Sequence, residues 1–147
     1  SKKYDLNAII LRFFSIYGAG LKKQLIWDTC QKIKKKNYIF YGSGNEVRSW
    51  MHINDVVNII IKASKKIKKK ISIFNICGID KLKNKEILNL IFKSFEVKVK
   101  PKFSYIVRLG DPKYLFIKND DLRKLNYKQK ISIKSGIKDY IKWYKEK

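Results

Sequence analysis

The sequence predicts an α/β chain, and three observations carry that expectation. Residues 7–14 form a near-continuous apolar run, the pattern of a strand covered on both faces. Segments with helical apolar spacing alternate with short apolar or β-branched runs along the chain. The 147 residues, 45% of them hydrophobic, suffice for a core of ordinary size.

Taken in order, residues 15–20 break the first strand with two glycines and place a loop at its C-terminal end. Residues 22–36 are expected to form a helix with Leu25, Ile26, Thr29, Cys30 and Ile33 inward. A short strand over 38–41 is closed by Gly42-Ser43-Gly44-Asn45, expected as a hairpin turn whose residues suit positive φ. Residues 47–53 read as extended. Asn54 or Asp55 is the expected cap of a helix striped by Val56, Val57, Ile60 and Ile61. A strand over 71–76 ends at Gly78. The helix over 84–95 takes Asn84 as its cap and buries Ile87, Leu88, Ile91 and Phe92. Residues 97–100 alternate as a short strand that Pro101 interrupts, and 107–112 are turn-rich. Asn119-Asp120-Asp121 caps a short helix to Leu125, and 135–145 form a last helix with Ile137, Tyr140, Ile141 and Tyr144 inward. The sequence shows no internal repeat and no linker.

A formal charge of +23 invites a nucleic-acid-binding reading, because Lys and Arg neutralise phosphates. Its breakdown weakens that reading. There are 31 Lys against 4 Arg, beside 23 Ile, 10 Asn and only 3 Ala, a skew typical of AT-rich coding. Base readout and bidentate phosphate grip favour the forked guanidinium, which is scarce here. The Lys runs over 34–36 and 65–70 fall at helix ends, where they suit the negative end of the dipole. The four arginines therefore become the informative basic residues. Cys30 and Cys77 cannot make a disulfide framework and, with the single His52, make no convincing zinc set, so a reducing, cytoplasmic setting is expected. No apolar run approaches the ~20 residues of a membrane-spanning helix, and no signal-peptide pattern opens the sequence.

Motifs that carry chemistry are few. Gly42-Ser43-Gly44 lacks a third glycine and a helix behind it, so it is no dinucleotide loop. His52, without a Ser or Cys at motif spacing, reads as a hydrogen-bonded structural residue. Tyr114 and Lys118 match Tyr-x-x-x-Lys, but 9 Tyr and 31 Lys make such a match expected by chance.

Five segments occur in series: Leu11-Arg12-Phe13-Phe14-Ser15-Ile16-Tyr17-Gly18; residues 42–55 with Arg48-Ser49-Trp50-Met51-His52 at their centre; Phe74-Asn75-Ile76-Cys77-Gly78; Arg108-Leu109-Gly110-Asp111-Pro112; and Ser135-Gly136-Ile137 through Trp143-Tyr144. Together they resemble the NAD-dependent epimerase/dehydratase family, extended short-chain dehydrogenases acting on nucleotide sugars. The resemblance implies the C-terminal part of a Rossmann-like fold with its small substrate-binding lobe, over residues 1–147. It places the Gly-rich loop and catalytic Tyr-x-x-x-Lys in an N-terminal half that this sequence does not include, and so implies no catalytic residue, no metal ligand and no activity of this chain alone. The parent would be a homodimer using NAD, bound mainly by that other half.

Carried across residue by residue, the resemblance puts Phe14 by the nicotinamide end of NAD. It puts Ser15 where relatives often have an Asn touching the substrate diphosphate, and Gln24 and Leu25 on a backbone-contact segment. Tyr41 would lie beside the base and Arg48 against the diphosphate. Arg108 would grip phosphate while Asp111 holds the ribose. Ser49 stands where the family usually has an acid. The chemistry agrees, since a partly desolvated diphosphate suits a guanidinium better than an ammonium. Other readings stay open: Arg12, expected buried at a strand end, suits a structural ion pair as well as a ligand, Tyr41 suits the core equally, Asp55 suits a cap, and Asn75 a strand-end hydrogen bond. Residues 22–28 resemble versions found in bacterial surface-polysaccharide enzymes. The expected function is thus the nucleotide-sugar-binding portion of an epimerase or dehydratase. A basic nucleic-acid-binding module and a non-catalytic remnant are the alternatives.

Overall fold

A computed structural model of the chain describes residues 6–67, 71–107, 109–118 and 120–147. In chain order the elements are β1 (Ala8–Phe13), β2 (Ile16–Tyr17), α1 (Gln24–Lys34), β3 (Ile39–Phe40), β4 (Val47–Ser49), β5 (Met51–His52), α2 (Ile53–Ser64), β6 (Ile71–Ile76), β7 (Lys81–Lys83), α3 (Asn84–Ser94), β8 (Lys102–Phe103), β9 (Tyr114–Leu115), α4 (Asp120–Lys124) and α5 (Ile133–Lys145). Two cores organise them.

The first core is built on a parallel pair, β1 and β6, in register from Ala8 opposite Ile71 to Phe13 opposite Ile76. Ile9, Leu11 and Phe13 join Phe74 and Ile76 against Val56, Ile59 and Ala63 of α2 and Leu122 of α4. The alternate residues Ile10, Ile71 and Ile73 are exposed. The strand therefore alternates instead of being covered on both faces, because among the described residues nothing packs on its second face. The helix stripe also differs from expectation. α2 buries Asp55, Val56, Ile59 and Ala63, leaving Val57, Ile60 and Ile61 outward. A helix with apolar residues on both faces does not declare its inner face by hydrophobicity; here the buried Asp55 lies on the inner one.

That helix is capped by His52, whose Nδ1 accepts the Asn54 N–H at 3.3 Å. Asn54 and Asp55, the expected caps, lie inside the helix. Asp55 instead turns inward, accepting from the Tyr127 hydroxyl at 2.6 Å and the Lys130 and Ile131 N–H groups at 2.9 and 3.1 Å. It ties α2 to the connection between α4 and α5.

The second core is a helical lobe in which α1, α3 and α5 bury Ile26, Cys30, Ile87, Ile91, Ile137 and Tyr140 around Tyr17, Phe40 and Trp50. The observed helices begin within two residues of the expected positions. α3 starts after Lys83, whose N–H is held by Glu86 Oε2 at 2.6 Å, so Asn84 is its first residue and not its cap. The expected strand over 97–100 is irregular; the strand forms one step later as β8, parallel to β3, with Lys102 N–H on Tyr38 O at 2.8 Å. Pro101 has no N–H to give, so pairing starts after it. Gly42 and Gly44 do take positive φ, +76° and +74°, but no hairpin forms: β3 pairs with β8, while β4 pairs with β7 and β9.

The resulting architecture is of the expected α/β class. The β2–β5 pair joins the two cores, with Ile16 and Met51 in the first and Tyr17 in the second, and β4, just before β5, carries Arg48.

Candidate functional site

Side chains alternate along a strand, so Glu46, Arg48 and Trp50 share one face of the β4 segment. Arg48 is only 7% exposed. Such a charge needs partners, and it has them: its guanidinium donates to Val47 O at 3.0 Å and to Asp111 Oδ1 at 2.7 Å. Asp111 reaches it because β9 runs parallel to β4 and Val47 N–H donates to Lys113 O, bringing the preceding turn over the strand. Ser49 points the other way, its buried hydroxyl donating to Gly78 O at 2.6 Å. The residue standing for the family's acid thus fixes backbone and makes no bond to Arg48.

A cleft of about 380 Å³ opens over Arg48. Ser15, Gln24, Leu25, Tyr41, Arg48 and Asp111 all line it, six sequence-predicted residues brought together from separate segments. Tyr41 is exposed, so it belongs to the cleft wall and not to the core. Phe14 lines a neighbouring cleft of about 480 Å³ with Phe13, Ile16, Tyr17 and Ile53; Ser15 and Gln24 line both. Gln24 opens α1 with φ of 68°, a left-handed conformation uncommon outside glycine, at the residue shared by the two clefts. Arg108 lies outside the described residues. Arg12 is exposed, not buried, because its side of β1 is the uncovered one.

Sequence reasoning missed Asp28, Lys32, Phe40, Trp50, Asn84 and Leu115 on the same cleft. For three of them the signal was present. Asp28 and Lys32 stand three and seven residues after Leu25, the spacing of one helix face. Trp50 follows Arg48 by two in an extended segment. Nothing local marks Leu115, which arrives through β9.

Burial sets the remaining electrostatics. It lowers the pKa of His52, against the opposing pull of Asp139 and Asp55. It pushes the Cys30 thiol up to about 12, which makes that cysteine a poor nucleophile. Among the described residues no three His, Cys, Asp or Glu side chains are grouped to hold a metal ion. Several lysines are engaged with backbone: Lys62 donates to Asn126 O and Lys66 to Lys124 O, at the C-terminal end of α4. No helix among the described residues is long and apolar enough to cross a membrane.

Comparisons with known proteins place this geometry. The uncharacterized protein MJ1055 of Methanocaldococcus jannaschii is 31% identical over 97% of this chain and 44% of its own length. The UDP-N-acetylglucosamine 4-epimerase of Methanobrevibacter ruminantium, solved with UDP-N-acetylmuramic acid, superposes with a TM-score of 0.86 at 17% identity over 99% of this chain and 48% of that one. The dTDP-glucose 4,6-dehydratase of Streptomyces venezuelae, solved with NAD bound, gives 0.86 at 23% identity over 99% and 46%. The chain thus spans less than half the length of each. The family model for NAD dependent epimerases and dehydratases matches residues 1–77, a little over half of the chain. With that match and the shared fold, the chain belongs to the NAD dependent epimerase/dehydratase family.

Proposed function

We propose that this chain is the nucleotide-sugar-binding portion of an NAD-dependent epimerase or dehydratase, occupying residues 1–147 and working with a nucleotide-binding Rossmann half. One observation supports the reading above the others. A buried guanidinium stands at the wall of a cleft to which six separately motivated residues converge. In this reading Arg48 holds the diphosphate, Ser15 adds one hydrogen bond, Tyr41 flanks the base, and Gln24 and Leu25 close the near wall. Arg108 is assigned to the phosphates and Asp111 to the ribose on the family resemblance.

Phe14, Ile16 and Ile53 give the adjoining cleft an apolar wall suited to a flat ring, so the nicotinamide end of NAD fits there. NAD, when bound, accepts hydride from the sugar. The residues of this chain bind and orient the nucleotide sugar, keeping the carbon that reacts near that ring. We assign the parent enzyme a homodimeric state and a cytoplasmic setting, the latter consistent with two cysteines, Cys30 and Cys77, that are buried as thiols. The similarity of residues 22–28 to surface-polysaccharide enzymes suggests an envelope sugar as the product. Isothermal titration calorimetry with UDP, dTDP and GDP tests the assignment. At least one should bind, and Arg48→Ala should weaken it by roughly tenfold or more. If none of the three binds, the nucleotide reading is wrong.

A further inference from the structure

The two members of the Arg48–Asp111 pair are unequal. The Arg48 side chain is 9% exposed and that of Asp111 50%, at 2.7 Å. Arg48 is also fixed by its bond to Val47 O, whereas among the described residues Asp111 has no partner besides Arg48. Asp111 follows Gly110, at φ +83°, in a segment that turns Tyr105, Ile106, Val107 and Leu109 to solvent. Backbone bonds from Gly42 N–H to Ile106 O and from Val47 N–H to Lys113 O hold that segment on either side of Asp111. The carboxylate therefore sits as a tethered anion on the guanidinium that, among the described residues, lines the cleft, and half of it already faces water.

We propose that Asp111 is a latch that sets the anion selectivity of this cleft: its carboxylate takes the edge of Arg48 that an incoming phosphate oxygen requires. The inference rests on the nucleotide reading above and adds a competitor to it. A simple anion gains little by displacing a partner that is covalently tethered and so present at high effective concentration. It must also settle beside a carboxylate, and like charges brought together cost binding energy. A nucleoside diphosphate makes further contacts, on Leu25, Phe40 and Tyr41, and offers its ribose to the released Asp111, and these offset the exchange. Releasing Asp111 is cheap because its side chain is half solvated. The latch thus excludes inorganic phosphates while admitting diphosphates that carry a base.

Calorimetry on the full chain at fixed ionic strength, with inorganic pyrophosphate and with UDP, tests the latch. Asp111→Asn should bind pyrophosphate about tenfold more tightly than wild type, and the preference for UDP over pyrophosphate should narrow correspondingly. The double variant Arg48→Ala/Asp111→Asn should lose that gain, and thermal melts should show all proteins folded. Pyrophosphate affinity that is unchanged, weaker or undetectable in Asp111→Asn overturns the latch, as does a gain that persists without Arg48. If wild type then still binds UDP, the nucleotide reading survives the loss. Conversely, a pyrophosphate gain in a protein that binds no nucleoside diphosphate keeps the latch and removes the nucleotide reading.

Discussion

Asp55 and Arg48 are both charged and both buried, at 1% and 7% exposure, yet they are satisfied in different ways. Asp55 is closed on every side by the Tyr127 hydroxyl and two backbone N–H groups, all from one connection between helices. Arg48 borders a cleft, and its ionic partner among the described residues is half exposed. A buried charge whose partners are all fixed holds a fold together. One whose partner is exchangeable is free to take a ligand. The difference is in the partners, not in the depth.

The comparison is broken most directly at Asp55. Asp55→Ala leaves a buried hydroxyl and two part-buried N–H groups without their acceptor, and should cost about 3 kcal/mol or more. For a chain this short, that loss should lower the thermal midpoint by well over ten degrees or abolish folding. A midpoint close to wild type would show that Asp55 is not the structural member of the pair.

The wall behind Arg48 should be the next most sensitive place. A Cβ on Gly78 would lie 1.8 Å from Trp50 O, backbone that cannot swing aside. Gly78→Ala should cost roughly 2–3 kcal/mol through the shift it forces on Trp50. It should also weaken nucleotide binding, because Trp50 lines the cleft. Denaturant midpoints and calorimetry on the same protein read both effects.

Arg48→Ala should cost stability less, about 1–2 kcal/mol, since the stranded Asp111 carboxylate turns to water. Its main effect should fall on binding. The ratio of binding loss to stability loss separates the two charges: high for Arg48, near zero for Asp55, which lines neither cleft. Equal stability losses at the two positions would erase the contrast.

How far the sequence revealed this arrangement follows from the range of the interactions. Helical spacing located α1, α3 and α5 because each buries one stripe against its neighbours. It failed to pick the inner face of α2, where Val57, Ile60 and Ile61 are as apolar as the residues buried. It placed a strand before Pro101 when the pairing partner, β3, lay some sixty residues earlier and dictated a start after it. The cleft was legible in part: Arg48, Tyr41 and Asp111 stood out through motif order, not through any local pattern. Asp55 was taken for a cap because Asp at a helix start ordinarily is one. Its true role depends on residues 127–131, which no local reading connects to it.

His52 offers the gentlest test, because it caps the helix that Asp55 anchors. Its Nδ1 accepts the Asn54 N–H, which requires the neutral ring, and burial holds its pKa below the ordinary histidine value while Asp139 and Asp55 pull the other way. The unfolded chain therefore takes up a proton at a pH where the folded chain does not. Stability from this group is full above the ordinary histidine range and is lost as the pH falls through it toward the lower folded value. Glu46 and Asp121, whose carboxyl pKa values are held low, act at more acidic pH and do not share that window. Urea midpoints should thus decline as the pH falls through the ordinary histidine range. His52→Asn keeps an acceptor at the cap and removes the titration, so it should flatten this slope while leaving the cap in place. A slope of the same size in that variant would assign the decline to another group and leave α2 anchored by Asp55 alone.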